Sequence, residues 1–122
     1  MKQHQIIRAY KSMKKLADQD LPIKTAYRIH RMMMGMGPAW EFQREEEDKI
    51  LRKLKPKVME NGRLEFSSPE DAQAFKNKLE EIGGMEAEGV DVEPIAMPIP
   101  DGAILSANDI DALIGFIEFT EE

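Results

Sequence analysis

Ala26, Ile29, Met33, Met36 and Trp40 follow one another at alternating steps of three and four, and the register runs on through Gln43 and Glu47 to Ile50 and Leu54. That period commits the middle of the chain to long helix with one apolar stripe, polar only in its centre. Gly35-Met36-Gly37-Pro38 interrupts it. Proline has no amide to donate and its ring presses on the carbonyl four residues back, here that of Met34. The sequence therefore predicts a kink or a short break between two helices, over about residues 22–35 and 38–54.

Upstream, Ile6, Ala9, Tyr10, Met13, Leu16 and Ala17 share one face of a helix over about residues 3–18. Asp18-Gln19-Asp20 supplies a stop and a restart, with Asp20 able to cap the next helix and Pro22 in its first turn, where no donor is needed. Helices joined by so few residues run antiparallel, as a helical hairpin. Downstream, Lys57 to Phe66 reads as a β-hairpin about Asn61-Gly62, whose type I′ turn would set Met59 against Leu64. Ser68-Pro69-Glu70-Asp71 opens a helix with Ala72, Phe75, Leu79 and Ile82 on one side, closed by Gly83-Gly84 in a left-handed position. Pro94, Pro98 and Pro100 reduce residues 85–100 to a loop with at most one edge strand, near 90–93. Ser106-Ala107-Asn108-Asp109 caps a last helix with Ile110, Leu113, Ile114 and Ile117 inward, and Phe116, Ile117 and Phe119 anchor the end. The fold class expected is α+β and mostly helical: an N-terminal helical hairpin with a kinked or broken second arm, one β-hairpin and two short C-terminal helices.

At 122 residues the chain is expected to form one domain, 1–122, and Leu, Ile, Val and Phe at 28 positions give it a modest core. Its two parts differ in charge. Residues 1–57 carry 14 Lys+Arg against 7 Asp+Glu, whereas residues 58–122 carry 3 against 16. A basic helical part, 1–56, and an acidic part with the β-hairpin and later helices, 57–122, are expected to fold against each other. The chain has no cysteine, which removes disulfides and thiolate chemistry. Charged residues from Lys2 to Lys15 leave no signal-like run, and no stretch approaches the ~20 apolar residues of a bilayer span, so no membrane is expected.

Ile7-Arg8-Ala9-Tyr10, Lys15-Leu16-Ala17 and Leu21 to Tyr27, together with Leu105-Ser106 and Asp109 through Glu118, resemble small uncharacterised proteins of bacteriophages and prophages of Gram-positive bacteria. The resemblance covers about a third of the chain, and Gly35 to Pro38 departs from the uninterrupted helix expected there. It implies a viral setting, in the host cytoplasm or in a virion, and no particular mechanism.

Chemistry-bearing patterns are few. His4 and His30 share no face with further ligands, Glu45 to Asp48 radiate around a helix, and Gly35 to Pro38 lacks the Lys-Ser/Thr of a phosphate loop. No enzyme activity, cofactor or metal is expected. Met32, Met33, Met34, Met36 and Trp40 are candidate partner-binding residues, because three consecutive methionines point in three directions and cannot all enter a one-sided core. Arg8, Lys11 and Lys15 on the first helix and Lys24, Arg28 and Arg31 on the second form a candidate basic face. The function expected is that of a phage-type interaction protein, self-associating or binding another protein in virion assembly or a host-directed accessory role. The alternative is a nucleic-acid-binding accessory protein that uses the basic helices.

Overall fold

The computed structural model describes residues 1–87, 93–102 and 104–120. Helix α1, Gln3–Ala17, buries Gln3, Ile6, Ala9, Ser12, Met13 and Leu16. Steps of three sweep a wide arc of a helix surface, and α1 uses that arc to meet several partners. It packs against α2, Ile23–Leu54, on one side and against α3, Pro69–Gly83, and α4, Ala107–Ala112, on others. The Gln3 side-chain amide donates to the Ala39 carbonyl, so the start of α1 lies well along α2 and the two helices run antiparallel. At 32 residues α2 is about 48 Å long and extends well past the start of α1. Its far end is held by α3, where Lys78 reaches Glu46 at 3.6 Å.

Helix α2 is continuous through Pro38, so of the kink or break expected there the break with a restart does not occur. The reason lies in where the proline points. Nine residues separate Pro38 from buried Ile29, half a turn away on the helix, so Pro38 and Met34 are both exposed. The Met34 carbonyl that loses its amide partner is therefore offered to water, while Met36 and Ala39 on the opposite side pack into the core. The start of α2 also differs from expectation. Pro22 itself is the cap residue, with no side-chain bond, so Asp20 does not cap the helix; Ala26 N–H donates to the Pro22 carbonyl at 2.9 Å.

Strands β1, Lys57–Val58, and β2, Leu64–Glu65, form the expected antiparallel hairpin in a different register: Val58, not Met59, faces Leu64. Met59 instead pairs with Arg63, its N–H donating to the Arg63 carbonyl at 2.8 Å, and Gly62 N–H returns to the Met59 carbonyl at 2.9 Å. Only Gly62 of the loop has positive φ, +83°, which rules out the type I′ turn and its two left-handed residues. The Asn61 side chain accepts from Arg63 N–H at 3.0 Å, a local bond that favours the longer loop of a turn followed by one left-handed residue.

Helix α3 begins as expected, with Ser68 Oγ accepting from Asp71 N–H and Pro69 in the first position. It ends without a left-handed residue, since Gly84 has φ −83°. Phe66 then packs on Phe75 with ring centroids 5.3 Å apart, seating the hairpin on α3.

The sequence did not reveal a second sheet. Strand β3, Ile95–Pro98, pairs in parallel with β4, Ile117–Thr120, and α4 lies on the crossover between them. Pro98 is tolerated because it is the last residue of a strand in a two-stranded sheet. The edge strand expected near 90–93 falls largely outside the described residues, whose strand begins at Ile95. The last helix is shorter than its apolar spacing suggested. It stops at Ala112, Gly115 takes φ +90°, and Phe116 and Ile117 swing inward as the chain enters β4, leaving Ile114 exposed. Ile6, Met13, Leu16, Ile29, Met36, Ile95, Leu113 and Phe116 belong to one buried cluster that draws on both halves of the chain.

Gly115→Ala is expected to destabilise the protein by about 1–2 kcal/mol in a urea melt, the cost of a left-handed backbone for a residue with Cβ. No atom stands within 4 Å of the added carbon, so backbone strain alone sets the loss.

Candidate functional site

The candidate residues on α1 are occupied within the chain. Lys15 Nζ lies 2.7 Å from Asp109 Oδ2, and Arg8 reaches Asp111 of α4 at 3.2 Å. Lys11 sits over the Trp40 ring at 5.9 Å, and Lys14 over both Tyr10 and Trp40 at 5.6 Å. The acidic half thus neutralises much of the α1 basic row intramolecularly.

Asp109 is the hub of that contact. Its residue is buried, and its carboxylate accepts from Lys15, from Ser12 Oγ at 2.8 Å, and from the Ser106 N–H and hydroxyl at 2.9 and 3.1 Å. The Lys15 ammonium first, then the Ser106 and Ser12 donors, hold its pKa far below the usual carboxylate range. The folded state therefore favours the ionised form. The resulting stabilisation is present in full above the unfolded value, near 3.8, and is lost as pH falls below it toward the folded pKa. Asp109→Asn is expected to melt at lower temperature than wild type at pH 7, with the gap narrowing from about pH 4 downward. Equal melting temperatures at neutral pH would contradict this role for Asp109.

The methionine segment is divided by the helix. Met36 is fully buried, Met32 and Met33 are half-buried against the core, and Met34 stands 64% exposed. Trp40 stacks on Tyr10 at 4.9 Å between centroids. Of the five candidate partner-binding residues, Met34 alone is exposed. Gln43 and Glu47, the polar centre of the stripe, are bonded to each other at 2.9 Å.

Lys24, Arg28 and Arg31 are placed differently from the α1 row, and the two rows do not join into one platform. Arg28 and Arg31 border a cleft of about 420 Å³ between α2 and β3, with Tyr27, Met32, Gly35, Glu93 and Ile95 as its other walls. Among the described residues none of the three cations forms an ion pair, although Arg31 lies 6.0 Å from the Tyr27 ring centroid. Beside them runs a second stripe on α2, missed in the sequence: Ile23, Tyr27, His30 and Met34, at steps of four, three and four, all exposed. Ile23 is 82% and Tyr27 59% accessible.

No family model matches the chain, and no curated protein or solved structure matches it either. The residues themselves carry the functional argument. Among the described residues no helix is long and apolar enough to cross a membrane, and no three His, Asp or Glu side chains are grouped to hold a metal ion. What α2 offers outward is an apolar strip with cations along one side.

Proposed function

We propose that this chain is a non-enzymatic interaction protein that works by binding protein, a second copy or another chain, through the outward face of α2. One observation carries the reading. A helix whose inner face is locked into the core exposes Ile23, Tyr27 and Met34 in helical register, next to three cations without ion-pair partners among the described residues. Aromatic, methionine and arginine side chains are the types enriched where protein surfaces meet. The resemblance to small phage and prophage proteins supports a viral setting for that role.

Nucleic-acid binding is the second reading, favoured by Lys24, Arg28 and Arg31 flanking Tyr27. It is disfavoured by the formal charge of −6. A photo-crosslinking residue in place of Tyr27 separates the two in cells. Protein adducts are expected, lost in Arg28→Glu/Arg31→Glu, whereas adducts to nucleic acid would overturn the proposal. Titration with duplex DNA at 0.15 M salt should show no binding. If the cations did hold phosphates, affinity would fall with salt at a log–log slope near −0.9 per phosphate contacted.

A further inference from the structure

Of the three asparagines in the chain, Asn61, Asn77 and Asn108, only Asn61 is followed by glycine. Asn61 and Gly62 are both exposed, in the loop between β1 and β2. An asparagine side-chain amide carbon can close a five-membered ring with the next main-chain nitrogen. Three things limit that closure: access to the nitrogen, the proton it carries, and the charge that builds on the amide oxygen. Access is open, because Gly62 has no side chain and no atom beyond its chain neighbours stands within 4 Å of where a Cβ would be. The charge is also provided for, since Arg63 N–H donates to Asn61 Oδ1 at 3.0 Å. The proton is the remaining gate, because Gly62 N–H donates to the Met59 carbonyl at 2.9 Å. That gate is weak. The hairpin strands are two residues each, and none of residues 57–66 belongs to the buried cluster, so the loop opens without unfolding the core.

We infer that Asn61 is a site of spontaneous deamidation, which gives the hairpin loop a new carboxylate and, in part of the product, a longer main chain. Hydroxide removes the Gly62 N–H proton, and the nitrogen attacks Asn61 Cγ. The N–Cγ bond forms, the Cγ–Nδ2 bond breaks, and ammonia leaves a succinimide. Water then opens the ring. Addition at Cγ breaks the new bond and yields aspartate. Addition at the Asn61 main-chain carbonyl carbon breaks its bond to the Gly62 nitrogen and yields isoaspartate, with the chain running through Cβ and Cγ. The extra methylene displaces the Gly62 and Arg63 N–H bonds that set the loop. The other two asparagines are held at the nitrogen. Asn77 lies inside α3, where the Lys78 amide is bound along the helix, although its own Oδ1 also has a donor, Gln73 Nε2 at 2.7 Å. Asn108 lies inside α4, and Asp109 N–H donates to the Ser106 hydroxyl at 3.1 Å. Lys78 and Asp109 also carry side chains beside the nitrogen. The reaction is independent of the outward face of α2, which lies at the opposite end of that helix from the hairpin.

Ageing of the folded full-length chain in neutral and mildly alkaline buffer tests this, with tryptic peptides followed by mass spectrometry. Cleavage after Lys57 and Arg63 isolates Asn61 in the peptide of residues 58–63. Its amide is expected to convert to a carboxylate roughly tenfold or more faster than those of Asn77 and Asn108, whose following amides open less often. The rate should rise with pH, because the deprotonated nitrogen is the nucleophile. Both aspartate and isoaspartate are expected at position 61, separated by chromatography and distinguished by enzymatic methylation of the isoaspartyl carboxylate. Phe66→Ala, which removes the stacking of the hairpin on Phe75, is expected to speed conversion severalfold while circular dichroism shows the helices retained. Equal rates at the three asparagines would overturn the inference. So would aspartate as the sole product, which marks direct hydrolysis without ring closure. A Phe66→Ala rate no faster than wild type would overturn the role of hairpin opening.

Discussion

Deleting residues 104–122 is expected to abolish cooperative folding. The segment supplies Leu113, Phe116 and Ile117, each no more than 4% exposed, and burial of three such side chains contributes about 5–9 kcal/mol. Its loss also strips β3 of its partner strand and removes Asp109 from Ser12 and Lys15 of α1. A domain of this size has a net stability of roughly 5–15 kcal/mol, so little would remain. Thermal melting followed by circular dichroism should show a broad, weak transition in place of a sigmoid. A truncated chain that melts sharply near the full-length temperature would show that the C-terminal part is dispensable to the core.

A second large effect is expected within two turns of one helix. Met36→Glu places a carboxylate in a fully buried site within the apolar core. The expected loss is about 3–5 kcal/mol in a urea melt, enough to leave a large unfolded fraction. Met34→Glu, only two residues away, is expected to change stability by less than about 0.5 kcal/mol, because the side chain already faces water. Similar losses at both positions would mean that α2 does not keep separate inner and outer faces.

That separation was partly legible in the sequence. The stripe from Ala26 to Leu54 was read correctly as one face of a helix, and every member of it is at least half-buried in the structure. Of the five residues named for a partner, Met36 lies in the core, Met32 and Met33 pack against it, Trp40 stacks on Tyr10, and Met34 stands exposed. The run of three methionines did signal that one would face outward, and Met34 does. The outward stripe escaped notice because only Ile23, Tyr27 and Met34 in it are large and apolar, interrupted by His30, so it scores as an ordinary polar surface. At Pro38 the local chemistry allows a kink or a break, and its half-turn offset from Ile29 is what lets the helix continue.

Other differences arise from interactions that local patterns do not contain. The Asn61-Gly62 pair permits two hairpin loops, and the Asn61 bond to Arg63 N–H accompanies the longer one. Strands β3 and β4 are four residues each, lie 18 residues apart and pair in parallel, so no turn signal announces them. The Ser106-to-Asp109 cap was legible, but that Asp109 would also accept from Ser12 and Lys15 depends on the long-range docking of α4 on α1. The opposite charges of the two halves had suggested that they fold against each other, and Lys15 with Asp109, Arg8 with Asp111 and Lys2 with Glu86 are instances of it.

The central claim is that α2 spends one face on the core and keeps the other for a partner, and methionine oxidation reports on both at once. Hydroxyl-radical footprinting, read by mass spectrometry, would compare Met34 with Met36 in dilute protein, in concentrated protein and in cells. Met36 is expected to be slow in all three settings. Met34 should be oxidised rapidly in dilute solution and protected in cells, where a partner covers it, and in concentrated protein as well when that partner is a second copy. Oxidation of Met34 at the dilute rate in all three settings would contradict the claim.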